Sequence, residues 1–149
     1  MSALMVSAVS ARPAANDGVV RLLRLEGLAI AGAAVAAYAA IGGSWPLLAL
    51  LLLAPDLAMV GYRFGPTAGA AAYNAAHAYL GPAALGALGL ALAAPLAQAL
   101  ALIWLAHIGL DRALGYGLKY ATGFGHTHLG RIGRDGGRPT ERLSGFGQK

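Results

Sequence analysis

The sequence predicts an all-α integral membrane bundle of four transmembrane helices, and three observations carry that expectation. The 149 residues are 58% hydrophobic and 11% charged, against about 25% charged in ordinary soluble domains. Four apolar runs, separated by Gly, Pro and Arg turns, each reach the roughly 20 residues needed to cross ~30 Å of hydrocarbon. Finally, the basic residues sit at the two chain ends and at a single loop, the asymmetry that orients membrane proteins. Mean hydropathy is +0.61.

Residues 1–17 read as a flexible lead-in, with Asn16 or Asp17 placed to cap the helix that follows. No positive region precedes the small apolar patch of Met1 to Ala15, so a cleaved signal peptide is not expected. The first run extends from Val19 to about Ile41 and stops at Gly42-Gly43-Ser44. Trp45-Pro46 opens the second, with Trp at an interface and Pro in a first helical turn. It continues to about Tyr62, and Arg63-Phe64-Gly65-Pro66 forms the turn. The third run, Thr67 to about Ala93, should be kinked or broken at Gly81-Pro82. Pro95 starts the fourth, which ends near Gly115-Tyr116-Gly117. Residues 18–118 thus form the bundle and 119–132 a cytoplasmic loop folded back on it, while 133–149 are a disordered basic tail.

Four crossings put both termini on one side. Arg12, Arg21, Arg24, Arg63, Lys119 and the later basic residues all fall on that side, and the other two loops carry none. Both termini are therefore expected on the cytoplasmic side of a membrane. The net charge of +5 is a topology signal: no basic face with interleaved aromatics exists of the kind that reads nucleic acid. The expected partner is the lipid bilayer, and a homo-oligomer is compatible with the sequence. Having no cysteine, the chain has no disulfides, thiolate nucleophiles or Cys-type metal sites. Small residues at helical spacing, among them Gly27 with Ala31 and Gly65 with Gly69, suit close backbone approach in lipid.

Ionisable groups inside such runs are expensive, on the order of 2.5–3.5 kcal/mol each at a helix centre for Asp, Lys or Arg. Facing one another is the cheapest arrangement. Helix one supplies Glu26, helix two Asp56, and helix three Asn74 and His77. Helix four supplies Gln98, His107, Asp111 and Arg112. At about 1.5 Å per residue, all four helices bring an ionisable group to the same cytoplasmic half. Asn74 and His77 are three apart, and His107 and Asp111 four apart, so each pair shares a helix face. Pro55 removes a backbone donor beside Asp56 and gives that carboxylate room to turn inward.

Two imidazoles and two carboxylates form a ligand set for a divalent ion such as zinc, iron or manganese. The leading expectation is a metal site of Asp56, His77, His107 and Asp111 that serves a metal-dependent hydrolase acting on a lipid or headgroup-like substrate. Glu26 is then a candidate general base, Asn74 orients a ligand, and Arg112 receives an anionic headgroup. The same groups equally serve a proton-coupled carrier or a non-enzymatic membrane subunit. A third reading has His77 and His107 as two axial ligands of a b-type haem in an electron carrier. His126 and His128, in the Gly- and aromatic-rich segment after helix four, are placed to approach the mouth of the site.

Several motifs occur together: Ala54-Pro-Asp56-Leu, Tyr73-Asn74-Ala-Ala-His77, Trp104-Leu-Ala-His107-Ile-Gly-Leu-Asp111-Arg112, Gly115-Tyr-Gly-Leu-Lys119-Tyr, and Thr127-His128-Leu-Gly. In this combination the chain resembles bacterial domain-of-unknown-function family 4260 from about Leu22 to Arg134, with Ala121 a departure where related sequences carry proline. The resemblance implies a small multi-pass protein of a bacterial plasma (inner) membrane, both termini cytoplasmic, with these polar positions as its signature. A looser likeness, in residue types and setting alone, is to bacterial inner-membrane metal-dependent hydrolases of the LexA-regulated type.

Overall fold

A computed structural model of the chain describes residues 17–131. The expected lead-in, apart from Asp17, and the expected tail lie outside these described residues. The chain is mostly helical: α1 (Asp17–Ala40), α2 (Trp45–Leu51), a 3₁₀ helix (Ala54–Phe64), α3 (Pro66–Ala76), α4 (Leu80–Ala91) and α5 (Pro95–Leu114). A two-residue antiparallel pair, β1 (His126–Thr127) with β2 (Gly130–Arg131), closes the described chain.

Helix α5 is the hub. It packs against α1 on one side and α4 on another, while the 3₁₀ helix packs mainly on α3. Its inward face, from Ala99 through Ala101, Ile103 and Ala106 to Gly109, is buried. Small residues set the α1–α5 distance: a Cβ on Gly109 would stand 2.7 Å from the Ala31 nitrogen and 2.8 Å from the Gly27 carbonyl oxygen. The Gly27–Ala31 spacing read from the sequence is therefore a close-packing seam. Gly65 plays a different part from the packing role expected of it. Its surroundings are open, but its φ of +107° is a turn conformation that a side chain strongly disfavours. Tyr38 is fully buried and packs with Ala99 and Ile103. Its hydroxyl donates to the Ser44 carbonyl at 2.6 Å, which fixes the α1–α2 turn.

The third run breaks, but earlier than Gly81-Pro82. Helix α3 ends at Ala76 and α4 begins at Leu80, so Gly81 and Pro82 lie in the first turn of the new helix. Proline has no N–H to bond the carbonyl four residues back, at Ala78, so the fault appears upstream of it. The second run is also split. Helix α2 ends at Leu51 and the chain resumes as 11 residues of 3₁₀ helix, unusually long for that form.

Among the described residues, Trp45–Phe64 is the one helical stretch long and apolar enough to cross a membrane, and none of it is buried. Helices α3 and α4, at 11 and 12 residues, are each shorter than a crossing. Large apolar side chains are exposed along the molecule, among them Leu25, Leu28, Leu50, Leu57, Leu90 and Leu96.

Candidate metal centre

Both helix breaks lie at the site. Pro55 cannot donate to the preceding turn, and the ladder resumes with Asp56 N–H donating to Leu53 at 3.2 Å, which sets the Asp56 carboxylate towards α3 and α5. His77 caps the C-terminal end of α3, with φ −111° and ψ 12°. The carbonyls freed by that ending are bound by α5 side chains. Trp104 Nε1 donates to Ala76 O at 2.6 Å, and Arg112 Nη2 to His77 O at 3.3 Å. On α5, His107 and Asp111 project from successive turns of one face.

One ligand-type atom from each of Asp56, His77, His107 and Asp111 lies within 4.8 Å of all the others. His77 Nε2 is 3.0 Å from His107 Nε2, and 3.4 Å from both Asp56 Oδ1 and Asp111 Oδ2. His107 Nε2 is 3.6 Å from Asp56 Oδ1 and 4.0 Å from Asp111 Oδ2. Ligands on ~2.0–2.2 Å bonds to a tetrahedral ion stand roughly 3.3 Å apart; the separations from His77 Nε2 to the two carboxylates are of that size, and the His107–Asp111 separation of 4.0 Å is longer. Both histidine side chains are 3% exposed and Asp56 is 37% exposed; the group opens on the Asp56 side.

Supporting contacts orient these atoms. His77 Nδ1 lies 2.9 Å from the Tyr73 carbonyl, and donating there leaves its Nε2 as a bare lone pair directed into the cluster. The Tyr73 ring stacks on His77 with centroids 3.7 Å apart, and its hydroxyl donates to Asp111 Oδ2 at 2.8 Å. Tyr73 thus holds two of the four groups at once, and sequence reasoning missed it. The available signal was its position four residues before His77 on the same helix face.

The remaining candidates lie outside the cluster. Glu26 is exposed on α1. Asn74, expected to orient a ligand, commits its amide to the backbone of Lys119: Nδ2 donates to O at 2.9 Å and Oδ1 accepts from N–H at 2.7 Å. Arg112, expected to receive a headgroup, is turned to His77 O and to His128, whose Nε2 is 2.7 Å from Nη1. His128 Nδ1 accepts from Leu118 N–H at 2.9 Å. Burial and the Arg112 guanidinium hold this imidazole below its ordinary pKa. His126 lies 2.9 Å from the Thr122 hydroxyl. Gln98 donates to Gly89 O at 3.0 Å, a helix tie.

Lys119 is the second residue that sequence reasoning misplaced. Read as a surface topology charge, it is in fact 3% exposed. Its Nζ lies over the rings of Phe124, Tyr73 and Tyr116 at 4.2, 5.0 and 5.8 Å. Burial lowers its pKa from the ordinary lysine range, while the Asp111 and Asp56 carboxylates act in the opposite sense. A lysine between Tyr116 and Phe124, in a glycine-rich stretch, was the signal for an aromatic enclosure.

One reading can be corrected on geometry alone. Two axial haem ligands stand in line, about 4 Å apart for two ~2 Å bonds. His77 and His107 meet at 3.0 Å and leave no room for a porphyrin between them.

The fold and the cluster define a class: a mostly helical protein with two buried histidines and two partly exposed aspartates gathered between its helices. The chain belongs to the family described as Domain of unknown function (DUF4260), whose model matches residues 20–132. No curated protein matches the chain, and no solved structure does.

Proposed function

We propose that this protein is a multi-pass membrane protein with a divalent-metal centre held by Asp56, His77, His107 and Asp111, which acts as a hydrolase on a lipid or headgroup-like ester. The observation that carries the metal is a surplus of electron pairs. With His77 Nδ1 donating to Tyr73 O, its Nε2 lone pair faces two carboxylate oxygens and a second imidazole. A single proton on His107 Nε2 can serve only one of them. A cation serves all four.

Four protein ligands close a tetrahedral ion, the pattern of structural zinc. A six-coordinate ion such as manganese or iron keeps two positions open, and the exposure of Asp56 supports that form. Such an ion supplies Lewis acidity towards an ester or phosphoryl oxygen and lowers the pKa of water. The histidines hold the ion from the buried side, and Tyr73 keeps Asp111 in register. Four spans in a bacterial inner membrane, both termini cytoplasmic, are supported by the exposed apolar belt and by the one-sided placement of Arg and Lys.

Elemental analysis of the full chain, purified without a histidine tag, tests the centre. The expected result is one equivalent of a first-row divalent metal, falling at least tenfold in His107→Ala with the helical circular dichroism retained. Metal content that is substoichiometric and indifferent to His107→Ala defeats the proposal and leaves the 3.0 Å imidazole pair as a proton relay in a carrier.

A further inference from the structure

Lys119 carries an ammonium group that the cluster does not use. Its Nζ is buried and, among the described residues, has no hydrogen-bond partner; the Tyr62 hydroxyl is in the same condition. Three aromatic faces surround the ammonium and favour its charge through their quadrupoles. They offer no lone pair, so its three N–H donors stay unanswered, and a buried polar group in that state needs an explanation. Phe124 links the two unsatisfied groups. Its ring lies 4.2 Å from Lys119 Nζ and packs edge-on to Tyr62, with centroids 5.4 Å apart. It is also part of the outer wall, 45% exposed, and packs against both groups. Tyr73 forms the wall shared with the cluster: its ring faces Lys119 at 5.0 Å while its hydroxyl binds Asp111.

We propose that Lys119 Nζ and the Tyr62 hydroxyl form an oxyanion pocket roofed by Phe124, which receives a phosphate or carboxylate group of the ligand beside the four-group cluster. This deepens the hydrolase reading and rests on it for the ligand's role, though not for its binding. It also transfers to Lys119 the anion-receiving part that Arg112, occupied by His77 O and His128, does not fill. The Asn74 clasp on both backbone groups of Lys119 then sets the depth of the ammonium. An ammonium and a phenol hydroxyl are both donors to oxygen, and together they select an anion over a cation or an apolar tail.

The test titrates the full chain in detergent with inorganic phosphate, and separately with mixed micelles containing phosphatidic acid. Both metal-free and manganese-loaded protein are used, with 31P line broadening and calorimetry as readouts. Saturable binding of either probe is expected, weakened at least tenfold in Lys119→Met in both metal states. Lys119→Arg should stay within about threefold of wild type, and Tyr62→Phe should weaken binding severalfold. Should Lys119→Met not fold, Tyr62→Phe and Lys119→Arg decide. Binding of phosphate alone identifies a free-anion site, and binding of phosphatidic acid alone a headgroup site; both support the pocket. Absence of saturable binding of both probes to wild type overturns it, as does unaltered affinity in folded Lys119→Met, or in Tyr62→Phe should Lys119→Met not fold. A wild type that takes up no metal yet binds phosphate through Lys119 sinks the metal centre and leaves the pocket standing.

Discussion

Tyr73 shows how much a single side chain settles here. Removing its hydroxyl leaves the stack on His77 intact but frees Asp111 Oδ2 to rotate away from the cluster. Outer-shell partners of metal ligands are worth about 10–100-fold in affinity, so Tyr73→Phe should bind manganese within that range more weakly than wild type, as read by competition with a chelating dye. The convergence of Asp56, His77, His107 and Asp111 was legible in the sequence from their similar depth in the apolar runs and from the four-residue spacing that puts His107 and Asp111 on one face. The three-residue spacing of Asn74 and His77 misled. The inward turn of Asp56 was legible from Pro55. The burial of Lys119 was not, since hydropathy reads a lysine beside a helix end as interfacial. What buries it is the fold-back of a segment whose anchor, Asn74, had been given to the ligand.

His128 supplies a pH dependence at the same scale. Its folded-state pKa lies below 6.5, because burial and Arg112 both oppose a second proton on the ring. The unfolded chain therefore binds more protons as pH falls below about 6.5, and stability is lost in that direction. Thermal unfolding in detergent should show a melting temperature that drops from pH 7 towards pH 5. His128→Gln, which cannot titrate, should flatten that part of the curve. An equal drop in both proteins assigns the effect to other groups.

Among the elements, the α1–α5 seam has the least tolerance. The atoms within 3 Å of an added Cβ at Gly109 are all backbone, and backbone cannot swing aside as a long side chain can. Overpacking of this kind costs about 1–3 kcal/mol. Gly109→Ala should lower the unfolding midpoint in detergent correspondingly, while the neighbouring exposed Leu110→Ala should change it much less. The seam was readable as Gly27 with Ala31, but its partner glycine was not, since one sequence does not say which helices meet. Element boundaries failed where proline acts at a distance: the break came upstream of Pro82, and the switch to 3₁₀ geometry around Pro55 had no signature beyond the proline itself.

For the whole molecule, the question is which way it faces. The absence of cysteine makes single-cysteine labelling clean. With both termini cytoplasmic, Ser44→Cys should react with an impermeant maleimide added to intact spheroplasts, and Ser144→Cys only after lysis. Labelling of both from outside rejects the four-span topology. The long apolar runs announced a mostly helical chain. How they divide was less legible, because the third run is shared between α3 and α4, each shorter than a crossing.

The 3₁₀ helix that carries Asp56 is a stretched spring. At about 2.0 Å per residue, its 11 residues extend roughly 22 Å, against about 16 Å for the same residues as α-helix. Recoiling to the shorter form would draw its ends together by around 6 Å and, at about 3.6 rather than 3.0 residues per turn, change the direction of the Asp56 side chain. The length of this segment and the position of Asp56 in the four-group cluster are thus one coordinate.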